Sequence, residues 1–222
     1  SKVRYSINEF VAGSNDMPGG WAFNTDRIAI INGHWYLCKY GKTLAANARY
    51  KVWLYKRTNG TGAWALIFTL DGYTMTPEQD PEEAILKVVG NTVYLFWRDD
   101  LTGKIYQINT TNPDTWSSTT PIQVATGVSL PAPATDGRRW VMTQRESFVN
   151  NTYKTKMYYS TDKAATWQSN GYLNTYANTQ LGMKDMYSES MFDPRDPRYV
   201  ITVGGSDTTA GEISSIYYWR WK

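Results

Sequence analysis

The sequence predicts an all-β protein, and three observations carry that reading. Apolar runs are short, rich in β-branched and aromatic residues, and broken by Gly, Pro, Asn and Asp, while helical periodicity is nearly absent. Ten Trp and 17 Tyr stand in a chain of 222 residues, a composition that favours strands. The third observation is a recurring unit: an aromatic-ended strand, a polar turn and a closing Trp return at a nearly constant interval.

The repeat is read from three copies. They are "VWLYKRTNGTGAW" from Val52, "KIYQINTTNPDTW" from Lys104 and "MYYSTDKAATW" from Met157, closed by Trp64, Trp116 and Trp167. The closing tryptophans lie 52 and 51 residues apart. A strand pair with a tight turn precedes each copy, and a fourth such pair follows: "RIAIINGHWYLCKY", "AILKVVGNTVYLFW", "PAPATDGRRWVMTQ" and "SMFDPRDPRYVITV". Their turns hold Asn32-Gly33, Gly90-Asn91, Asp136-Gly137 and Asp196-Pro197, and Asn-Gly and Asp-Gly favour the positive φ of two-residue hairpins. An outer strand follows each closing Trp: "ALIFTLDG", "IQVATG" and "GYLNTY". The fourth unit stops at "SSIYYWRWK", and the orphan "VRYSINEFVAG" near the start resembles the missing outer strand.

The architecture that follows is a single β-propeller domain over 1–222, built of four-stranded antiparallel blades. Four blades are expected, near 21–72, 80–127, 128–178, and 186–222 completed by 1–13. The N-terminal strand then closes the ring and covers an edge that would otherwise be open. Five blades are the alternative, and a two-sheet sandwich is third because it does not require the period. In "PEQDPEEAIL", from Pro77, the two prolines predict a turn or a short 3₁₀ piece. Asn174 to Asp185 is expected to be the least regular stretch.

Composition excludes several functions. The net charge is +3 with both signs interspersed, so no strong field attracts nucleic acid, and no RNP, zinc or P-loop pattern occurs. No apolar stretch of about 18 residues offers a membrane span. Cys38 is the one cysteine, which excludes an intrachain disulfide, and "HWYLCKY" reads as a buried strand position. His34, the one histidine, stands beside the Asn-Gly turn and reads as a turn residue. No cofactor is expected. No His/Cys cluster holds a metal, although loop carboxylates such as Asp99 and Asp100 leave a Ca²⁺ site open.

The stretch "STDKAATW" resembles the Asp-box (BNR repeat) of sialidase-like β-propellers, whose pattern is Ser/Thr-x-Asp-x-Gly-x-Thr-Trp. Ser160, Asp162, Thr166 and Trp167 match it, and Ala164 replaces the usual Gly. "FDPRDPRYVITVGG", from Phe192, is similar to the segment that opens a blade in such proteins. The other two turns keep the Trp and little else. The resemblance implies that the box lies between third and fourth strands, on the face opposite the active site. Asp162 and Trp167 are therefore expected to serve the scaffold.

Function is then expected on the other face, with the second-to-third-strand loops and the inter-blade segments. The candidate ligand-binding residues there are Trp21, Tyr40, Trp97, Arg98, Asp99, Arg145, Glu146, Tyr187, Glu189 and Asp207. In "WRDD" an aromatic face beside Arg and Asp suits a sugar, by stacking and directed hydrogen bonds. The expected function is a non-catalytic binding module, recognising carbohydrate in the manner of a lectin or adhesion protein. A glycan or cell-surface polysaccharide is the expected partner, and the expected setting is extracellular or virion-associated. Two alternatives stay open. One is a structural virion or scaffold protein, of the bacteriophage tail or fibre kind, making protein contacts. The other is a sialidase-like glycoside hydrolase, for which Asp26, Glu83, Asp136 and Asp193 supply one acid near each inner strand. Asp136 and Asp193 already have roles in turns, and the Arg-Ile-Pro motif of sialidases is absent.

Overall fold

The computed structural model describes residues 16–18, 27–43, 49–71, 80–116, 120–127, 131–149, 152–177, 185–207 and 213–222. The described chain is all β apart from one 3₁₀ turn, Thr58–Gly60. The first sheet holds β1 (Asp16–Pro18), β2 (Ile28–Ile31), β3 (His34–Thr43), β4 (Lys51–Arg57) and β5 (Ala65–Asp71). The second runs β6 (Pro81–Val89), β7 (Thr92–Asp99), β8 (Lys104–Thr110) and β9 (Ile122–Thr126). The third runs β10 (Ala134–Thr135), β11 (Trp140–Val149), β12 (Thr152–Ser160) and β13 (Gln168–Ala177). The fourth has β14 (Asp185–Phe192), β15 (Val200–Asp207) and β16 (Ile213–Trp221).

Every sheet is antiparallel, and its strands follow chain order from the inner edge outward. Successive sheets pack face to face through their inner strands, β3 on β6 and β11 on β14, so the molecule is a β-propeller. The proposed ring closure through residues 1–13 lies outside the described residues. Among the described residues, no helix is long and apolar enough to cross a membrane.

The hairpin chemistry is local. Asn32 and Gly33 take φ of 49° and 77°, the pair of left-handed residues that a tight turn between β2 and β3 requires. His34 Nδ1 accepts the N–H of Asn59 at 3.1 Å, which joins this turn to the 3₁₀ turn beside it. Strand alternation does the rest. In β2 the buried residues Ala29 and Ile31 face the second sheet's core, while Ile28 and Ile30 point away from it.

Three elements differ from expectation. Asp16–Pro18 is a short strand paired with Gly41 to Thr43, not a loop. The four-residue β2 covers only one end of the ten-residue β3, and β1 pairs with the other end. "PEEAIL" is strand, not turn: Pro81 is the first residue of β6, where a missing N–H costs no ladder bond. β13 continues to Ala177, into the stretch expected to be irregular, because the long β12 supplies partners for it.

Two of the three closing tryptophans of the repeat share a packing rule. Trp116, after the second sheet's third strand, stacks on Phe68 of the first sheet at 5.5 Å. Trp167, after the third sheet's third strand, meets Phe96 of the second sheet edge-on at 6.3 Å. Each therefore reaches back to the sheet before it. The Trp167 ring also lies 6.4 Å from Trp140, which is fully buried against Tyr94 and Phe96. Its indole Nε1 donates to Gln107 Oε1 at 3.3 Å, and Gln107 Nε2 donates to the Ala164 carbonyl at 2.5 Å. Two sheets are thus locked by one aromatic cluster and one amide side chain.

Replacing Trp140 by Ala should lower unfolding free energy by about 3–5 kcal/mol. Urea unfolding followed by circular dichroism measures this. A loss below 1 kcal/mol would mean that the cluster does not hold the sheets together.

Candidate functional site

The face that carries the strand starts β2 and β6 and the strand ends β3 and β7 holds a cluster of charged and phenolic groups. Its frame is the carboxylate of Asp99, which is 1% exposed. One oxygen accepts the N–H of Asp80 at 2.7 Å and that of Leu101 at 3.3 Å, and the other accepts the Thr102 hydroxyl. Asp80, also buried, accepts the Tyr50 N–H through its carboxylate and the Asp100 N–H through its carbonyl at 2.9 Å. The entry to the second sheet is thus tied both to its own second strand and to the first sheet.

A β-bulge follows at once. Glu82 pairs with Arg98 and Ile85 with Phe96, so Glu83 and Ala84 together face Trp97. Glu83 takes φ of 53°, a left-handed conformation that a non-glycine residue adopts at a cost of roughly 1–2 kcal/mol. The bulge brings its carboxylate to the Arg98 guanidinium, with Nε donating to Oε2 at 2.8 Å. Arg98 Nη2 donates to Asp100 Oδ1 at 3.2 Å, so a single guanidinium spans two carboxylates. The Glu83 and Arg98 side chains are 14% and 16% exposed, while that of Asp100 is 43% exposed on the rim. Arg27, just before β2, lies over the Tyr40 ring at 5.1 Å.

Burial first, then the Asp100 carboxylate, push the Glu83 carboxyl up to about 7, against the pull of the Arg27 charge. Burial, reinforced by Asp100 and Asp80, also raises the Tyr50 phenol. The opposite face behaves differently. There Asp162 accepts the Thr166 hydroxyl at 2.6 Å, the Thr166 N–H at 2.9 Å and the Ser160 hydroxyl at 2.7 Å. Those bonds, the Thr166 hydroxyl foremost, hold the Asp162 carboxyl at about 2.

Asp193 is likewise held at about 2, chiefly by Arg195 and further by Arg220. Asp136 is clasped by the backbone and guanidinium of Arg139. Of the four acids considered near inner strands, these two belong to hairpin turns, Asp26 lies outside the described residues, and Glu83 alone stands at this cluster.

The candidate ligand residues fall into three groups. Trp21 lies outside the described residues. Tyr40, Trp97, Arg98 and Asp99 come together here, but not as a binding platform. Tyr40 is buried under Arg27 and against Tyr50, Trp97 is fully buried and stacked on Tyr106, and the oxygens of Asp99 are taken by turn donors. Of these four, only Arg98 reaches the cluster's open side. For Arg145, Glu146, Tyr187, Glu189 and Asp207 the strand register gives the position. Arg145 and Glu146 lie opposite Thr155 and Lys154 near the end of β11. Tyr187 and Glu189 lie opposite Gly205 and Val203, and Asp207 ends β15.

Sequence reasoning missed Arg27, Tyr50 and Asp80. The usable signal was Asp-x-x-Thr at Asp99 to Thr102, an Asx-turn pattern that takes Asp99 out of ligand binding. Nothing in the sequence marks the bulge.

The class the fold defines is the β-propeller, and solved structures share it. The chain is similar to a family 43 β-1,3-galactosidase with TM-score 0.55 and 12% identity, over 87% of this chain and 42% of that one. It is similar to the Hadza microbial sialidase with TM-score 0.55 and 11% identity, over 87% and 43% of the two chains. It is similar to a family 117 glycoside hydrolase of the marine bacterium Zobellia galactanivorans with TM-score 0.53 and 11% identity, over 86% and 68%. The chain thus spans about two fifths of the first two proteins and about two thirds of the third. No family model matches the sequence, and no curated protein does. These neighbours correct the expectation of a non-catalytic binding module: the solved structures found to share the fold are glycoside hydrolases and a sialidase.

Two outcomes test the cluster. Because the folded Glu83 binds its proton more tightly than the ordinary value of 4.5 implies, its contribution to stability is full below that pH and is lost as pH rises through about 7. Glu83→Gln should therefore flatten the fall in Tm between pH 5 and pH 8 and melt higher than the parent at pH 8; an unchanged profile would contradict the shift. Asp99→Ala should cost about 2–3 kcal/mol in chemical unfolding, because it strands buried N–H donors.

Proposed function

We propose that the protein is a glycoside hydrolase in which Glu83 is the general acid. The observation that carries this is a buried carboxyl raised to about 7, held on a left-handed bulge at the loop-bearing face. A general acid must hold its proton at working pH yet release it readily, which a group titrating near neutrality does best. In such a reaction Glu83 protonates the glycosidic oxygen as the bond to the anomeric carbon breaks. A second carboxylate then attacks that carbon or activates water, according to its distance from the acid. Asp100, which shares Arg98 with Glu83, is the acid the described residues offer for that role.

Arg98 positions Glu83 and spreads its charge over both carboxylates. The substrate is a glycan, in line with the carbohydrate-processing enzymes of this fold. We read the Ser160–Trp167 turn as an Asp-box serving the scaffold, and the four sheets as the four blades expected from the repeat.

Hydrolysis of aryl glycosides, galactosides and sialosides included, tests the proposal. Glu83→Gln should slow substrates with poor leaving groups by roughly 10²–10⁴-fold and dinitrophenyl glycosides far less, since these leave without a proton. The parent's rate should fall on the alkaline side of about pH 7. An equal loss with both leaving groups, or turnover unchanged by the substitution, would rule Glu83 out as the acid.

A further inference from the structure

A concave site lies on the face opposite the Glu83 cluster, between the third and fourth sheets. It is a cleft of about 190 Å³, and none of the residues lining it is acidic. An engineered cavity of ~150 Å³ admits benzene, so this one has room for a single substituted ring. Its apolar walls include Phe192 and Val200 from the fourth sheet and Tyr159 from the third. Its polar lining includes Arg139, Arg198, Lys222 and the amide of Asn170, beside Ser160 and Thr161.

Both arginines are set in place from behind. Arg139 Nε and Nη2 donate to Asp136 Oδ2 at 2.8 and 2.7 Å, and its guanidinium lies 4.8 Å from the Phe192 ring centre. Arg198 Nε and Nη2 donate to the two oxygens of Asp196 at 2.9 and 2.8 Å. The Asp196 buttress occupies one edge of Arg198, while Arg139 Nη2 donates to the Pro197 carbonyl as well as to Asp136, so Arg139 turns only Nη1 to the cleft without an acceptor among the described residues. Lys222 makes no ion pair among the described residues. The buttressing orients two donor groups in advance, which lowers the ordering cost of binding an anion.

We propose that this cleft binds a carboxylated sugar ring, a uronic acid in size and charge. The ring's C–H face would rest on Phe192 and Tyr159, its carboxylate would meet the free edge of Arg198, Arg139 Nη1 and Lys222, and a hydroxyl would meet Asn170. A bare inorganic anion has no use for the apolar walls, and a neutral sugar leaves Lys222 without an anion. The inference stands apart from the Glu83 reading, because the two sites share no residue.

Calorimetric titration of the full chain with glucuronate, glucose and benzoate tests it. Glucuronate should bind at least tenfold tighter than either of the others. Arg198→Ala and Lys222→Ala, both on the rim and outside the core, should each weaken it threefold or more, while Arg98→Ala on the opposite face should leave it unchanged. Equal binding of glucose would remove the anionic requirement, and tighter binding of benzoate would remove the sugar. A loss confined to Arg98→Ala would move the ligand to the other face. Any of these three results overturns the proposal.

Discussion

The structure around the candidate site depends on one buried carboxylate. Asp99 has no cation to neutralise it among its hydrogen-bond partners; it is held by two backbone N–H groups and a hydroxyl. A buried charge held this way tolerates little displacement, since each donor it loses is both a broken bond and a desolvated group. Through Asp80 the constraint passes to Tyr50 of the first sheet. The seam between the two sheets, the start of β6 and the bulge beyond it are therefore positioned as a unit. Trp97, buried directly across from that bulge, makes the arrangement rigid from below.

Glu83 and the acids of the hairpin-turn face are treated in opposite ways. On the hairpin-turn face each carboxylate meets several donors: Asp162 has hydroxyls and an N–H, while Asp193 and Asp196 have arginines. Such groups stay ionised and hold turns closed. On the loop face Glu83 is desolvated, shares its one guanidinium with Asp100, and feels that second carboxylate as a like charge. The difference is one of donor supply rather than residue type. It separates acids that brace a scaffold from one poised to exchange a proton.

The strand order, hairpin turns and inter-sheet tryptophans were legible in the sequence because each rests on local pattern: alternation, Asn-Gly turns and a repeated Trp. Trp116 and Trp167 reach back to the preceding sheet in the same way. The site was far less legible. Trp97 sits among strongly polar neighbours and reads as a sugar platform, yet in β7 five consecutive residues from Val93 are buried, as happens when a strand has sheets packed on both faces. Glu83 stood out only as one acid among four, because its burial, its backbone angle and its arginine all arise from a bulge that no residue type announces. Prolines misled in the other direction: Pro81 marks a strand's first residue, not its absence.

The bulge at Glu83 also says something about how such a site can be gained or lost. Side chains in a strand alternate between faces, so one inserted residue reverses everything on one side of it relative to the other. Here the extra residue falls at the very start of β6, and only Pro81 and Glu82 precede it in the strand. The hydrophobic set from Ile85 onward keeps its register with β7 all the way to Val89. A single-residue insertion or deletion at this point would leave the strand from Ile85 to Val89 in register with β7, while shifting Asp80 and Pro81 against Asp99. A change of chemistry at this position would therefore draw its cost from the Asp99 frame at the mouth and not from the packed strand behind it.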